Sequence, residues 1–156
     1  MKIWIIHDSV YGNGEKLAKT LGAAFEKKAE VNIAHNKKVT PEKVASDSPD
    51  VLIIGTAARK FKISGGSKKW LRKLNAILRK EKKTIKYGAS FLTHVLPDNV
   101  AKFWGTRFHK LYQKLPVTKV YPEWISGRVE KPEGPFAAGE QEKFEKIGKE
   151  LADWAK

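Results

Sequence analysis

The residues with the clearest chemical potential form a short polar loop near the start of the chain. The loop consists of Ser9, Val10, Tyr11, Gly12, Asn13 and Gly14. An apolar run precedes it, and a segment with helical apolar spacing follows it. Such a loop presents free backbone N–H groups, and the positive end of the helix dipole points at it. The sequence therefore predicts an anion site, and we expect the anion to be a phosphate.

The elements that must position this loop alternate between strands and helices along the whole chain. Apolar runs predict strands at residues 2–7, 30–34, 50–55, 84–91 and 117–125. Helical spacing predicts helices at residues 15–28, 67–79, 97–115 and 140–156, with a capped helical turn at residues 40–44. Helical crossovers require parallel strands, so we expect one α/β domain over residues 1–156. Its sheet would be five-stranded, parallel and doubly wound, in a three-layer arrangement.

Composition excludes several classes of chemistry. The 156 residues include no cysteine, which rules out disulfides, thiolate metal sites and a cysteine nucleophile. No apolar run approaches the roughly 20 residues that span a membrane, and no signal-peptide pattern opens the chain. A soluble cytoplasmic protein is therefore expected. No serine–histidine–acid order, paired-carboxylate motif or HExxH motif stands out, so the hydrolase and metalloenzyme interpretations have little support.

Positive charge is concentrated in the middle of the chain. The formal net charge is +14. Residues 59–119 carry 17 Lys and Arg residues against two acids, whereas the remainder carries 14 against 15. A run of charge is often only a solvated face. A positive field on one side of a molecule also attracts acidic proteins, nucleic acid or anionic membrane surfaces.

Three stretches of the chain together resemble the short-chain flavodoxins. The first is the loop described above with Glu15 behind it, and the second is the strand at residues 50–55 with Thr56 after it. The third is the glycine- and proline-rich approach to the last helix, at residues 127–140. The resemblance covers essentially the whole chain. It implies a flavodoxin-like fold and one bound FMN.

The resemblance also implies which residues hold the cofactor. Residues 9–14 would bind the FMN phosphate through backbone N–H groups and the Ser9 hydroxyl, and Glu15 would cap the first helix. The loops at residues 56–61 and 89–94 would flank the flavin ring. The implied ring contacts are Thr56, Ala57, Ala58, Arg59, Phe61, Ala89, Ser90, Phe91 and His94.

Four departures from the flavodoxin pattern concern the same site. Gly14 stands where the family usually has a threonine, which removes one hydroxyl contact to phosphate. The usual tryptophan after the third strand is missing, and Phe61 is the candidate for stacking on the ring. His94 aligns near the usual tyrosine of the second ring loop. The rim is expected to be basic where flavodoxins are acidic, which would favour an anionic reduced flavin and raise the potential of the second reduction step.

The other histidines and the tryptophans have simpler interpretations. His7 closes a buried strand and is expected to be structural, whereas His35 is expected in a surface loop. His109 lies on a cationic helix and is expected to face solvent. Three tryptophans on apolar helical faces are expected in the core, namely Trp70, Trp104 and Trp154. Trp124 is left open between packing and the edge of the site.

Three functions remain open at this point. The leading hypothesis is an FMN electron carrier whose basic face steers it to acidic redox proteins. The second is a flavin-dependent oxidoreductase acting on a quinone or porphyrinogen, because residues 55–61 distantly resemble a loop of flavodoxin-type protoporphyrinogen oxidases. The third is a binding module that has lost FMN. Nucleic acid is an unlikely partner because the basic helices lack interleaved exposed aromatic residues, whereas a membrane surface is possible. The oligomeric state is left open.

Overall fold

The computed structural model describes residues 1–59 and 62–156. The strands are β1 (Lys2–His7), β2 (Glu30–His35), β3 (Val51–Arg59), β4 (Lys62–Ile63), β5 (Ile85–His94), β6 (Val117–Val120) and β7 (Ile125–Arg128). The helices are α1 (Asn13–Ala23), α2 (Pro41–Asp47), α3 (Gly65–Lys80), α4 (Asp98–Tyr112) and α5 (Glu140–Trp154). No helix among the described residues is long and apolar enough to cross a membrane.

The sheet has the parallel order β2-β1-β3-β5-β6, which confirms the predicted α/β class. The predicted fifth strand, at residues 117–125, is split in two. The β6 strand pairs with the first half of β5, and β7 pairs with the second half. Pro122 lies between them and has no N–H for a ladder hydrogen bond, which explains the interruption. The short β4 strand adds an antiparallel pair to the end of β3.

Alternating side chains along β1 and β3 enter two separate cores. Trp4, Ile6, Leu52 and Ile54 pack under helices α2, α3 and α4. Their sequence neighbours on the same two strands pack under α1 and α5. Both faces of the sheet are therefore covered, as the aliphatic run at residues 51–54 indicates.

Three boundaries differ from the sequence-based expectation and affect the site. The β3 strand continues to Arg59 and β5 continues to His94, each beyond its predicted end. Both extensions are paired, with Ala57 opposite Thr93 and the end of β5 opposite β7. The α1 helix begins at Asn13, directly after Gly12 in a left-handed conformation (φ 95°). The first helical turn therefore includes the glycine-rich end of the polar loop.

Candidate functional site

A cleft of about 260 Å³ opens above the carboxyl ends of β1, β3 and β5. It lies where the sheet order reverses, because β2 and β3 flank β1 on opposite sides. Ligands of open α/β sheets bind at this type of switch point. The lining residues are Ser9, Val10, Tyr11, Asn13, Gly14, Ala57, Ala58, Arg59, Thr93, His94, Val95, Val129 and Pro132.

The β1–α1 loop forms one end of the cleft. The backbone N–H of Gly12 donates to Ser9 Oγ over 2.7 Å, which closes the loop on itself and leaves the serine hydroxyl able to donate outward. Asn13 Nδ2 donates to the Pro132 carbonyl over 2.8 Å and ties the loop to the segment before α5. The first N–H groups of α1 have no intrahelical acceptor. This end of the cleft therefore has the donor set that suits an anion.

Buried Asp8 holds the opposite wall in place. Its carboxylate accepts hydrogen bonds from the Thr56 hydroxyl, from Ser67 Oγ at 2.5 Å and from the Ala57 N–H at 3.1 Å. Arg59 donates to the Asp8 carbonyl and also forms an ion pair with its carboxylate at 3.3 Å. One carboxylate thus joins the end of β1 to β3 and to the first turn of α3.

His94 forms the inner part of the cleft. The side chain is 3% exposed, and its Nε2 lies 2.9 Å from Ser126 Oγ. Its Nδ1 has no hydrogen-bond partner among the described residues. Burial lowers the pKa of His94 below its ordinary value; the Leu96 backbone and Glu140 oppose this shift, while Lys143 and Arg128 add to it. Burial therefore favours the neutral form of the ring.

The structure brings nine of the fifteen sequence-predicted site residues to the cleft lining, and they are Ser9, Val10, Tyr11, Asn13, Gly14, Ala57, Ala58, Arg59 and His94. Gly12 supports the loop beside the cleft, and Thr56 is buried against Asp8. Phe61 lies outside the described residues.

The remaining three predicted residues are not placed at the cleft. Ala89, Ser90 and Phe91 are buried inside β5, at most 1% exposed. The strand continues for three residues beyond Phe91 because it pairs with β7. As a result, Thr93, His94 and Val95 line the cleft where the three earlier residues were expected. Val95, Val129 and Pro132 were missed, as was Asp8, and Thr93 lies in the predicted 89–94 range without having been named as a contact. A polar residue directly after a buried strand was the one available signal for Asp8.

Two other histidine expectations are corrected. His109 does not face solvent: it is 6% exposed, and its Nδ1 lies 2.7 Å from Ser90 Oγ. His35 ends strand β2 instead of lying in a loop, and its Nε2 lies 3.1 Å from the Ser9 carbonyl. Trp124 packs edge to face against His94, with ring centroids 6.4 Å apart, and therefore stands behind the site. His7 is buried, as expected of a structural residue.

Of the cations expected on a basic rim, Arg59 lines the cleft and is neutralised locally by Asp8, while Lys60 lies outside the described residues. The basic rim therefore stays an expectation. Excess charge is also found on the helices. Helix α3 carries six Lys and Arg residues and no acid, whereas α5 carries three cations and five acids. The expectation of a raised second reduction potential stays a prediction and now rests on the more distant α3 charge.

The cleft has the chemistry that a flat, phosphate-bearing heteroaromatic ligand requires. Helix N–H groups and a serine hydroxyl lie at one end, apolar side chains such as Ala57, Val95 and Val129 form the walls, and the His94 side chain lines the inner part. At Gly14 an added Cβ would meet only Ser9 and His7 side-chain atoms, at 3.4 Å and more. The missing threonine therefore leaves the loop geometry intact. No cluster of potential metal ligands occurs in the described parts of the chain.

Comparison with known proteins identifies the fold. No sequence-family model matches the chain, and no curated protein does. Oxidised flavodoxin 2 from Bacillus cereus superposes with a TM-score of 0.77 at 16% identity, covering 99% of both chains. The flavodoxin, WrbA-like protein from Agrobacterium tumefaciens gives 0.75 at 16% identity, covering 99% of this chain and 96% of the other.

Rubredoxin oxygen:oxidoreductase from Desulfovibrio gigas gives 0.67 at 18% identity and covers 99% of this chain, which spans 36% of that longer protein. The chain therefore has a flavodoxin-like fold.

Proposed function

We propose that the protein binds FMN in the cleft and acts as an electron carrier. The observation that supports this most directly is the position of the Ser9–Gly14 loop. It lies at the sheet's switch point, at the N-terminus of α1, and it bounds a cleft with apolar walls. Phosphate-bearing cofactors bind to folds of this kind at this location. Bound FMN would supply the redox chemistry.

The residues of this chain would divide the work of binding. The Ser9 hydroxyl and the first N–H groups of α1 would hold the phosphate. Ala57, Val95 and Tyr11 would cover the ring and exclude water from it. The His94 side chain would form the inner boundary of the ligand site. The Asp8 network would keep the β3 wall rigid without contacting the ligand itself.

Acidic redox proteins are the proposed partners. The support is the charge distribution. All charged residues of α3 are cations, whereas α1 and α5, on the opposite face of the sheet, carry a net charge near zero or below. A dipolar molecule of this kind orients an acidic partner during diffusion and speeds its association. The rate of electron exchange with such a partner should fall as ionic strength rises.

Flavin binding can be tested directly on the purified full-length chain. We expect a yellow protein whose flavin absorbance persists through gel filtration, and denaturation should release FMN. Stripped protein should rebind FMN and quench its fluorescence. A colourless protein that refuses added FMN would contradict the proposed function.

Matched serine variants then test where the phosphate binds. Ser9→Ala removes a loop hydroxyl and should weaken FMN binding by about tenfold, while riboflavin, which has no phosphate, should be affected much less. Ser46→Ala removes an exposed hydroxyl on α2 and should change neither affinity. Equal weakening of FMN and riboflavin by Ser9→Ala would place the phosphate elsewhere.

A further inference from the structure

A groove of about 410 Å³ separates helices α3 and α4 on the face of the molecule that carries the excess charge. Its rim holds five cationic side chains and no acid, and its floor is apolar. The cations are Lys68, Arg72, Arg107, Lys110 and Lys114, and the apolar residues are Ile63, Trp104, Phe108 and Leu111. An apolar floor with a charged rim is the usual anatomy of a protein-binding surface.

The cations oppose each other across the groove because of helical spacing. Lys68 and Arg72 are four residues apart on α3, and Arg107, Lys110 and Lys114 follow at intervals of three and four along α4 and its end. Such spacing places side chains on one helical face. Within the described part of the chain, none of the five forms an ion pair with an acidic side chain. Their charge is therefore available to an external partner.

The groove is joined to the cleft through one hairpin. Ile63, at one end of the groove, belongs to β4 and pairs with Ala58 of β3. Ala58 and Arg59 of the same hairpin line the cleft. A molecule that occupied the groove would therefore contact β4, which pairs with the strand that forms a wall of the proposed FMN site.

We propose that this groove is the docking site for an acidic amphipathic helix of a partner protein. The stretch from Trp104 to Lys114 spans about 15 Å, which is the length of about three helical turns. A helix of this length with carboxylates on its flanks and an apolar seam would match both the rim and the floor. Docking itself does not require bound FMN; only the identification of the partner as a redox protein rests on the proposed function.

Nearby aromatic side chains favour a protein over a nucleic acid as the occupant. Phe103 is 52% exposed, which the sequence-based argument against stacking did not anticipate. However, the Arg107 guanidinium lies over both Phe103 and Trp104, at 5.2 and 5.7 Å from their ring centroids. A base that stacked on the ring faces covered by this guanidinium would have to displace it. A partner helix could dock in the groove with the Arg107 guanidinium still in place over the two rings.

The test is an NMR titration of the ¹⁵N-labelled full-length chain with a 14-residue peptide (~four helical turns) that places Glu on two faces and Leu on the third. We expect shifts at Ile63, Arg72 and Leu111 and at the Trp104 indole. The double variant K68E/R72E should weaken binding by about tenfold or more at low salt. The matched double variant K146E/K149E changes net charge equally on exposed positions of α5 and should weaken it by less than about twofold.

Several outcomes would overturn the proposal. Equal weakening by the two double variants would show that only the overall charge matters. Shifts confined to the cleft loops would place the peptide elsewhere, and an oligothymidylate that binds the groove while the peptide does not would assign the surface to nucleic acid. Running the titration with and without FMN separates this proposal from the proposed function. Peptide binding by a chain that refuses FMN would contradict only the latter.

Discussion

At the scale of single residues, two small features determine what the cleft can hold. Gly14 leaves room beside the Ser9 side chain, and the Asp8 carboxylate accepts from four donors on β3 and α3. The space at Gly14 determines which groups can reach the ligand's phosphate. The Asp8 hydrogen bonds hold the wall against which the ligand would pack. Each can be changed by one substitution with a distinct outcome.

Gly14→Ser should tighten FMN binding. An added Cβ at Gly14 makes only ordinary contacts, so a hydroxyl can be accommodated in the first turn of α1. One more hydrogen bond to a charged phosphate should increase affinity by about tenfold. Fluorescence titrations with FMN and with riboflavin measure this, and Gly14→Ala supplies the Cβ without the hydroxyl. A similar gain for riboflavin would contradict the assignment of the loop to phosphate.

Asp8→Ala should destabilise the protein by about 3 kcal/mol, because it leaves the Thr56 and Ser67 hydroxyls buried without their acceptor and removes the partner of Arg59. Urea denaturation measures the free energy of unfolding. Asp153→Ala removes an exposed carboxylate that pairs with Lys156 and should leave that free energy nearly unchanged. Wild-type stability in Asp8→Ala would show that the network does not hold the wall.

At the scale of elements, glycines in β3 and β5 leave room for aromatic side chains that pack across these strands. Gly55 of β3 lies opposite Phe91 of β5, and the phenyl ring covers the glycine. Gly88 similarly lies under the Tyr112 hydroxyl, which donates to the Leu52 carbonyl over 2.6 Å. Glycine in these strands reflects close side-chain approach and not flexibility.

Gly55→Ala should therefore be costly. Its Cβ would lie 1.9 Å from the Phe91 ring, and Phe91 is 1% exposed in a close-packed core. We expect a loss of about 2 kcal/mol or more in the free energy of unfolding. Gly65→Ala, at the start of α3, has no atom of a described residue within 4 Å of the new Cβ and should be neutral or slightly stabilising. Equal effects of the two substitutions would contradict the packing described here.

At the scale of the whole molecule, folding buries three histidines whose pKa values it lowers. Burial is the largest cause for His7, His94 and His109, and for His7 the neighbouring His35 adds to it. The folded protein therefore resists protonation that the unfolded chain accepts near pH 6.5. Stability from these groups is fully present above that pH and is lost as the pH falls toward their lower folded-state pKa values.

The free energy of unfolding should accordingly decrease as the pH is lowered from 6.5 to 5. Each histidine can contribute up to about 1.4 kcal/mol per pH unit between its two pKa values. Denaturation curves over this range measure the slope. His109→Gln removes one of the three groups and should reduce the slope. A free energy that stays constant across this range would show that the histidines do not titrate differently in the two states.

Local patterns in the sequence predicted most of the architecture. The apolar runs of β1 and β3, the helical spacing of α1 and α5, and the Thr40–Pro41 start of α2 are all decided by residues close together in the chain. Thr40 does cap α2, accepting from the Lys43 N–H over 3.2 Å. The polar loop at the end of β1 was placed at the cleft for the same reason, since a strand, a small-residue turn and a helix are adjacent in sequence.

The sequence by itself therefore determined the parallel α/β layers and the loop at the N-terminus of α1, because strand burial and helix periodicity are local properties. Only the tertiary structure decided where β5 ends, since that depends on pairing with β7. It also decided that His109 is buried against Ser90 and that Asp8 bonds to residues 48 and 59 positions away. Contacts between distant segments carry no local pattern, and they are the ones that shape the cleft behind the Ser9–Gly14 loop.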